Sequence, residues 1–143
     1  MEIRNISHEL CFVTEEKIGQ DFHKIIVDLI KKNKNLQINF TNLVDLVHVD
    51  ASFQIHIYRI LQEAFNNISR HSLDRSGRLS FEMIDDELVI TIENEVARRQ
   101  GEIKKSGIGL RNIDARVTAM NARLKVQISG QFFRIKINVP KIV

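Results

Sequence analysis

The chain has 143 residues, 43% of them hydrophobic and 27% charged, a size and balance that fit one soluble domain with a sizeable core rather than a disordered or linker-rich chain. Its one cysteine, Cys11, rules out an internal disulfide and any cysteine-built metal site, which suits a reducing compartment. The net charge of +3 is mild and the basic residues are scattered, arguing against nucleic acid as a partner; no apolar run reaches the ~20 residues of a membrane span, and no signal-peptide core opens the chain.

Residues 2–11 allow a short helix. Thr14-Glu15-Glu16-Lys17 then reads as a helix start with acids in its first turn, and Ile18, Phe22, Ile25, Ile26, Leu29 and Ile30 recur at helical spacing to about residue 33. After the break at Asn33-Lys34-Asn35, Leu36 to Phe40 alternates like a half-buried strand. Residues 41–49 are apolar without a clean period and stay unassigned. Asp50 or Ser52 can cap the next helix, whose buried face is Phe53, Ile57, Ile60, Leu61, Ala64 and Ile68. Arg78 to Ile84 and Leu88 to Ile92 alternate on either side of Asp85-Asp86-Glu87, which predicts a hairpin.

Residues 94–106 carry many charges and no period, and read as a mobile loop. Leu110, Ile113, Val117 and Met120 mark a helix from about Ile108 to Ala122. Leu124 to Ile128 and Phe133 to Val139 are alternating strands around Ser129-Gly130, ended by Pro140. Clustered strands with interspersed helices, rather than strict alternation, imply an α+β fold: two layers, with helices covering one face of the sheet.

Two features carry chemistry. On the helix over residues 50–72, Arg59, Glu63, Asn66, Asn67 and Arg70 fall within roughly a quarter-turn of helix surface. A carboxylate, two amides and two guanidinium groups in one stripe can hold a metal ion beside an anionic ligand. Ser106-Gly107-Ile108-Gly109-Leu110 opens the next helix with small residues, exposing backbone N–H groups where a phosphate can sit. Taken singly, the stripe is the composition of a solvated helix face and the glycines those of a loop. Their order in the chain, with a hairpin between them, favours a nucleotide site.

The segment Ile57 to His71, with Gln62-Glu63-Ala64-Phe65-Asn66-Asn67-Ile68-Ser69-Arg70-His71, resembles the N box of the GHKL ATPase superfamily, and within it that of bacterial two-component sensor histidine kinases. Gly107 to Val117 resembles the glycine-containing box after the ATP lid, and the last strand ending in Pro140 matches the family's last strand. The resemblance covers about residues 36–140. It implies a Bergerat (GHKL) ATP-binding fold, a mixed sheet with helices packed on one face, with ATP and Mg²⁺ as ligands. It implies that Asn67 helps coordinate Mg²⁺, that Glu63 orients water or polarises the attacking group, and that Arg70 and His71 lie near the phosphates. Gly107, Gly109 and Leu110 fall in the family's glycine box. Where the family has Asp-x-Gly after the hairpin, Asn94 stands for the Asp and Val96 for the Gly; Glu93 would break the inward alternation of Ile90 and Ile92. An Asn can still accept from an adenine amino group, whereas Val resists conformations that Gly allows. Phe132-Phe133 replaces the family's Gly-Thr. These departures imply weak nucleotide binding, or a pocket that a partner completes.

Ser7-His8-Glu9-Leu10 resembles the surroundings of the phosphoacceptor histidine in another kinase subfamily, but Cys11-Phe12-Val13 replaces the Arg-Thr-Pro that should follow. The next helix also joins the ATP-binding domain too soon for a two-helix dimerisation hairpin. His8 is therefore read within the end of a dimerisation helix. The expected organisation is a helical segment over residues 1–33 and a catalytic domain over residues 34–143. The expected activity is transfer of the γ-phosphate of Mg·ATP to a histidine on a dimerisation domain of the same kinase, with a response regulator downstream. The expected compartment is cytoplasmic, whether the kinase is free or the inner part of a membrane-anchored sensor. Two other readings stay open: a GHKL regulatory module without efficient turnover, and a free-standing serine kinase of the anti-sigma-factor type.

Overall fold

The computed structural model describes residues 22–96 and 108–140. The short helix over 2–11, the helix start at Thr14, His8, Cys11, Gly107 and most of the 94–106 loop lie outside the described residues. Helix α1 spans Phe22–Lys32 and buries Phe22, Ile25, Ile26 and Leu29, the i, i+3, i+4, i+7 face that the sequence pattern requires. Its end is closed by Asn33, whose Nδ2 donates to the Leu29 carbonyl at 2.8 Å, one of the acceptors a helix terminus leaves open.

Strand β1, Gln37–Asn42, follows. Asn42 ends it: its Oδ1 accepts from the Val44 N–H at 3.0 Å in a side-chain turn, and its Nδ2 lies 3.0 Å from His23 Nδ1 on α1. The unassigned stretch then forms a 3-10 turn over Leu46–His48, capped by Asp45, which buries Leu46. A single turn is too short to show a period.

Helix α2 runs from Ala51 to His71, with Asp50 as its cap, accepting from the Ser52 N–H at 3.2 Å. Its buried face holds the expected Ile57, Ile60, Leu61, Ala64 and Ile68, and also Gln54, Tyr58 and Phe65; Phe53 is only half-buried. The arc is wider than a surface helix shows because α2 lies on the sheet with a helix on either side. Buried Gln54 is half satisfied: its Nε2 donates to the Val49 carbonyl at 2.9 Å, while its Oε1 is buried without a hydrogen-bond partner among the described residues.

Strands β2, Ser76–Ile84, and β3, Glu87–Glu95, pair antiparallel across a turn in which Asp85 and Asp86 both take positive φ (51° and 65°). That is the twist-compatible hairpin turn, and Asp is among the residues that tolerate it. Glu87 belongs to β3, not to the turn. Asn94 and Glu95, read from sequence as loop, are also strand, and Val96 adds an isolated bridge to Ser72. The charges at Glu93 and Glu95 hid this: they point to the open face while Asn94 and Val96 point inward.

Helix α3, Ile108–Ala119, ends a turn earlier than the apolar pattern suggests. Asn121 takes the left-handed conformation (φ 54°), and the Ala122 N–H returns to the Val117 carbonyl at 3.0 Å, a C-terminal cap that turns the chain into β4. Strands β4, Arg123–Ser129, and β5, Phe132–Val139, are joined by Gly130 at φ +60°.

The sheet order is β1-β2-β3-β5-β4, with β1 and β2 parallel and the other pairs antiparallel, so the fold is α+β on a mixed sheet. One face carries Leu79, Phe81, Ile90, Ile92, Ile135 and Ile137, and a single hydrophobic cluster joins them to all three helices. The other face is charged: Glu93 is gripped by Arg78 at 2.8 Å and Arg134 at 2.6 Å, and Glu87 by Arg123 at 2.6 Å. No helix of the described residues is long and apolar enough to cross a membrane.

Gly77 sits where α2 presses closest on the sheet. A Cβ there would lie 2.8 Å from Ile68 Cδ1 and 3.2 Å from the Glu93 carbonyl oxygen. Gly77→Ala should therefore destabilise the fold by about 1–3 kcal/mol, the usual cost of overpacking, read as a lower urea midpoint at unchanged slope. An unchanged midpoint would mean that Ile68 can rotate away at no cost.

Candidate functional site

The polar stripe of α2 is what two neighbouring helices converge on. Glu63 is half-buried and accepts from Asn112 Nδ2 of α3 at 3.4 Å. Toward the start of α2, His56 Nδ1 lies 3.3 Å from Arg116 Nη1. The two contacts make α2 and α3 antiparallel. One turn beyond Glu63, the same run carries Asn67 level with the first turn of α3, where Gly109 and the backbone of Leu110 lie. Leu110 itself is buried in the core, so only its main chain can face a ligand. First-turn N–H groups have no acceptor within their own helix and suit an anion.

Arg70 and His71 are exposed in the last turn of α2, where cations also complement the helix dipole. The chain just after them is sewn to the end of β3: Ser72 bridges Val96, and the Leu73 N–H donates to the Glu95 carbonyl at 2.9 Å. This brings Asn94, far away in sequence, to the same end of the domain as Arg70 and His71. Asn94 is 7% exposed, and its Nδ2 donates to the Glu95 carbonyl at 3.1 Å. That use of the NH₂ leaves Oδ1 as the atom able to accept from a ligand amino group.

Val96 is buried at 2% exposure, extended, with its N–H donating to the Gln131 carbonyl at 2.6 Å. A β-branched residue is at ease in that conformation. Phe133 fills the core from β5, while Phe132 lies on the open sheet face with the Arg78 and Arg134 guanidinium carbons 5.4 Å and 5.7 Å from its ring centre. Burial pushes the Glu93 carboxyl up, but hydrogen bonds from Arg134 and Arg78, and their charges, bring it below the ordinary carboxylate value.

The described residues also enclose a cleft of about 720 Å³ between the three helices. Its floor is α2, with Arg59, Gln62, Glu63 and Asn66; Lys32 and Asn33 stand on the α1 side, Asn112 and Arg116 on the α3 side. Asn67, Arg70 and His71 are not among its lining residues. Burial, and then the charge of Arg59, lower the Arg116 pKa, with Glu63 acting against them. Burial, and then the charge of Arg116, lower that of His56. A guanidinium can only donate, so the 3.3 Å contact requires an unprotonated Nδ1 on His56. His56 and Arg116 are missing from the sequence-derived site. His56 does share the side of α2 that carries Glu63, seven residues on, but only the packing of α3 gives it a partner.

A scan against protein-family models finds no match, and no curated protein matches. Solved structures do. The histidine kinase domain of the Erythrobacter litoralis EL346 blue-light activated histidine kinase superposes with a TM-score of 0.66 at 20% identity, over 85% of this chain and 60% of that one. The Acinetobacter baumannii histidine kinase AdeS superposes with a TM-score of 0.66 at 14% identity, over 99% of this chain and 81% of that one. Full-length ShkA in complex with AMPPNP gives a TM-score of 0.61 at 14% identity, over 83% of this chain and 29% of that one. The chain thus spans less than two thirds of the EL346 domain. Its fold is the one these histidine kinases share, as the N-box resemblance implies.

The His56 environment has a consequence for stability. Its folded pKa lies below the ordinary 6.5, so the folded state binds fewer protons than the unfolded chain. Stability should fall as the pH drops below 6.5, until the folded pKa is passed. His56→Gln should remove that part of the slope, so the wild-type advantage over the variant shrinks in acid. Parallel denaturation curves at each pH would show it; an identical slope in both proteins would contradict it.

Proposed function

We propose that this chain is the ATP-binding catalytic domain of a sensor histidine kinase, which presents the γ-phosphate of Mg·ATP to a histidine on a separate dimerisation domain. The observation that carries this reading is the antiparallel contact of α2 and α3, tied by Glu63 and Asn112. It supports a site between the Asn67 turn of one helix and the first turn of the other. The three-dimensional likeness to histidine kinases, one of them solved with AMPPNP, supports the same class of ligand.

In this reading Asn67 offers its amide oxygen to Mg²⁺. Among the described residues no three His, Cys, Asp or Glu side chains gather as a cage. That donor set fits Mg²⁺, which takes oxygen ligands, keeps much of its water and is usually held through phosphates with few protein groups. The ion would supply positive charge that offsets the charge of the phosphates. Arg70 and His71 add cationic or N–H donors, and the main chain at Gly107, Gly109 and Leu110 seats phosphate oxygens. Asn94 Oδ1 accepts from the adenine amino group. Glu63, half-buried and held by Asn112, orients the attacking group. The rate advantage then comes from positioning and charge neutralisation, the main terms in phosphoryl transfer. Residues 34–143 form the catalytic unit together with α1, the domain's first helix, which packs into the same core; the part of residues 1–33 ahead of α1 leads to the dimerisation domain, and a cytoplasmic response regulator receives the phosphoryl group.

One observation favours a second reading. Val96 continues β3 into the core where the family resemblance has a glycine, so the nucleotide end is more closely filled. A regulatory module that keeps the fold without turnover would accept that.

Calorimetric titration of Mg·ATP separates the two. The catalytic reading expects saturable binding, weakened about tenfold or more by Asn67→Ala, in line with the loss of a charge-linked contact. Asn94→Ala should weaken ATP yet leave inorganic triphosphate unaffected, since only adenine uses Oδ1. A dimerisation domain added in trans should then acquire acid-labile phosphohistidine. Flat heats, or binding indifferent to Asn67, would favour the regulatory module.

A further inference from the structure

Among the described residues the sheet has two edges, and only one is guarded. On one side β4 carries Arg123 and Lys125, the kind of charge that edge strands use against further pairing. On the other side β1, Gln37–Asn42, holds no charged residue. The N–H groups of Gln37 and Leu43 donate to the Arg75 and Phe81 carbonyls on the β2 side, and the strand alternates between them. Ile38, Phe40 and Asn42 therefore turn their main-chain N–H and C=O groups outward, with no partner among the described residues.

The helix layer stops at the same border. His23 stacks on Phe40 with ring centres 5.4 Å apart and reaches Asn42, so this flank of α1 lies over β1. Val27 and Ile30 share that flank by helical spacing and are half-buried, as are Ile38 and Phe40 on the strand. Leu29 and Lys32, on the other flank, border the cleft against α2. The domain thus ends on a ledge two layers deep: open hydrogen-bonding groups below, half-covered apolar side chains above.

We infer that the β1 edge is an interface for a second copy of this chain, related by a two-fold axis normal to the sheet. In that arrangement the strand is complementary to itself. Turned antiparallel about Asn39, Ile38 meets Phe40 of the second copy as a hydrogen-bonded pair, and uncharged Gln37 lies opposite Thr41. The same axis brings the two α1 flanks together over the joined strands, covering Val27 and Ile30. An extended peptide would satisfy the strand but leave that flank bare. Pairing also terminates, because the joined sheet ends at both sides on the guarded β4. The contact is small. A strand of six residues and one helix flank fall short of the roughly 20–30 residues a side of a standard interface, so the dimer is weak, with Kd on the order of 10–100 μM. No residue of the proposed nucleotide site takes part, so failure of this inference and failure of the kinase reading are separate outcomes.

Sedimentation velocity from about 5 to 500 μM, with amide NMR shifts over the same range, tests it. A monomer–dimer equilibrium is expected, with shifts concentrated at the Ile38 and Phe40 amides rather than at Asn39 and Thr41, which bond β2. Thr41→Lys on the edge strand and Val27→Lys on the α1 flank should each weaken the dimer about tenfold or more. Thr41 is exposed, so that variant should keep its fold even if Val27→Lys does not. A chain that stays monomeric throughout overturns the proposal, as does growth beyond dimers. So does a dimer that tolerates Thr41→Lys, which would place the contact away from the strand. Sensitivity to Thr41→Lys alone would uphold the strand pairing and remove only the helix contact.

Discussion

The arrangement depends on one constraint: α2 must bury a broad face, eight of its 21 residues, against the sheet. A helix on the inner face of a sheet, with α1 on one side and α3 on the other, meets water along its outer side. That side is where Arg59, Glu63, Asn66 and Arg70 sit. Polar side chains confined to a strip between two neighbouring helices can serve only what lies along it, so ligand groups and helix-to-helix contacts share the same residues. Glu63 is the clearest case, at once a wall of the cleft and the partner of Asn112.

Burial also sorts the residues whose roles sequence alone left in conflict. Val96 and Phe132-Phe133 depart from the family pattern, and packing accounts for both. Val96 prolongs β3 and covers the core, and Phe133 fills it, while Phe132 supports two guanidinium groups on the open face. Asn94 is different. It occupies an inward position that the core would normally give to an apolar residue, and keeps its polarity by donating to the backbone beside it. An inward polar residue in a row of Ile and Phe is a stronger pointer to a ligand than any exposed charge nearby.

Much of the architecture was legible because it rests on period. The α1 face, the α2 core positions, both hairpins and the α3 heptad-like run follow directly from spacing, and each was placed within a few residues. What period cannot reveal is how faces meet. Tyr58 and Phe65 fall outside the α2 face that spacing marks yet are buried in the core cluster, and the end of β3 looked like loop because its open-face residues are acidic. The antiparallel run of α2 and α3 is tertiary, and with it the pairing of His56 with Arg116. The stripe was visible in sequence, but the cleft that stands over Arg59, Glu63 and Asn66 needed three helices to be in place.

The uncovered face of the sheet carries a further consequence. Flat, exposed β-surfaces invite a second sheet to stack on them, and edge strands invite another chain to add on. Here the open face presents Arg78, Glu93 and Arg134 in one cross-strand row and Arg123 with Glu87 nearby, each carboxylate already matched by a guanidinium. An approaching sheet would have to strip water from those ions and offer nothing better in return. The edge strand β4 adds Arg123 and Lys125 to its outward side. The same charges that obscured the strands in the sequence keep the finished sheet from becoming a template for its own aggregation.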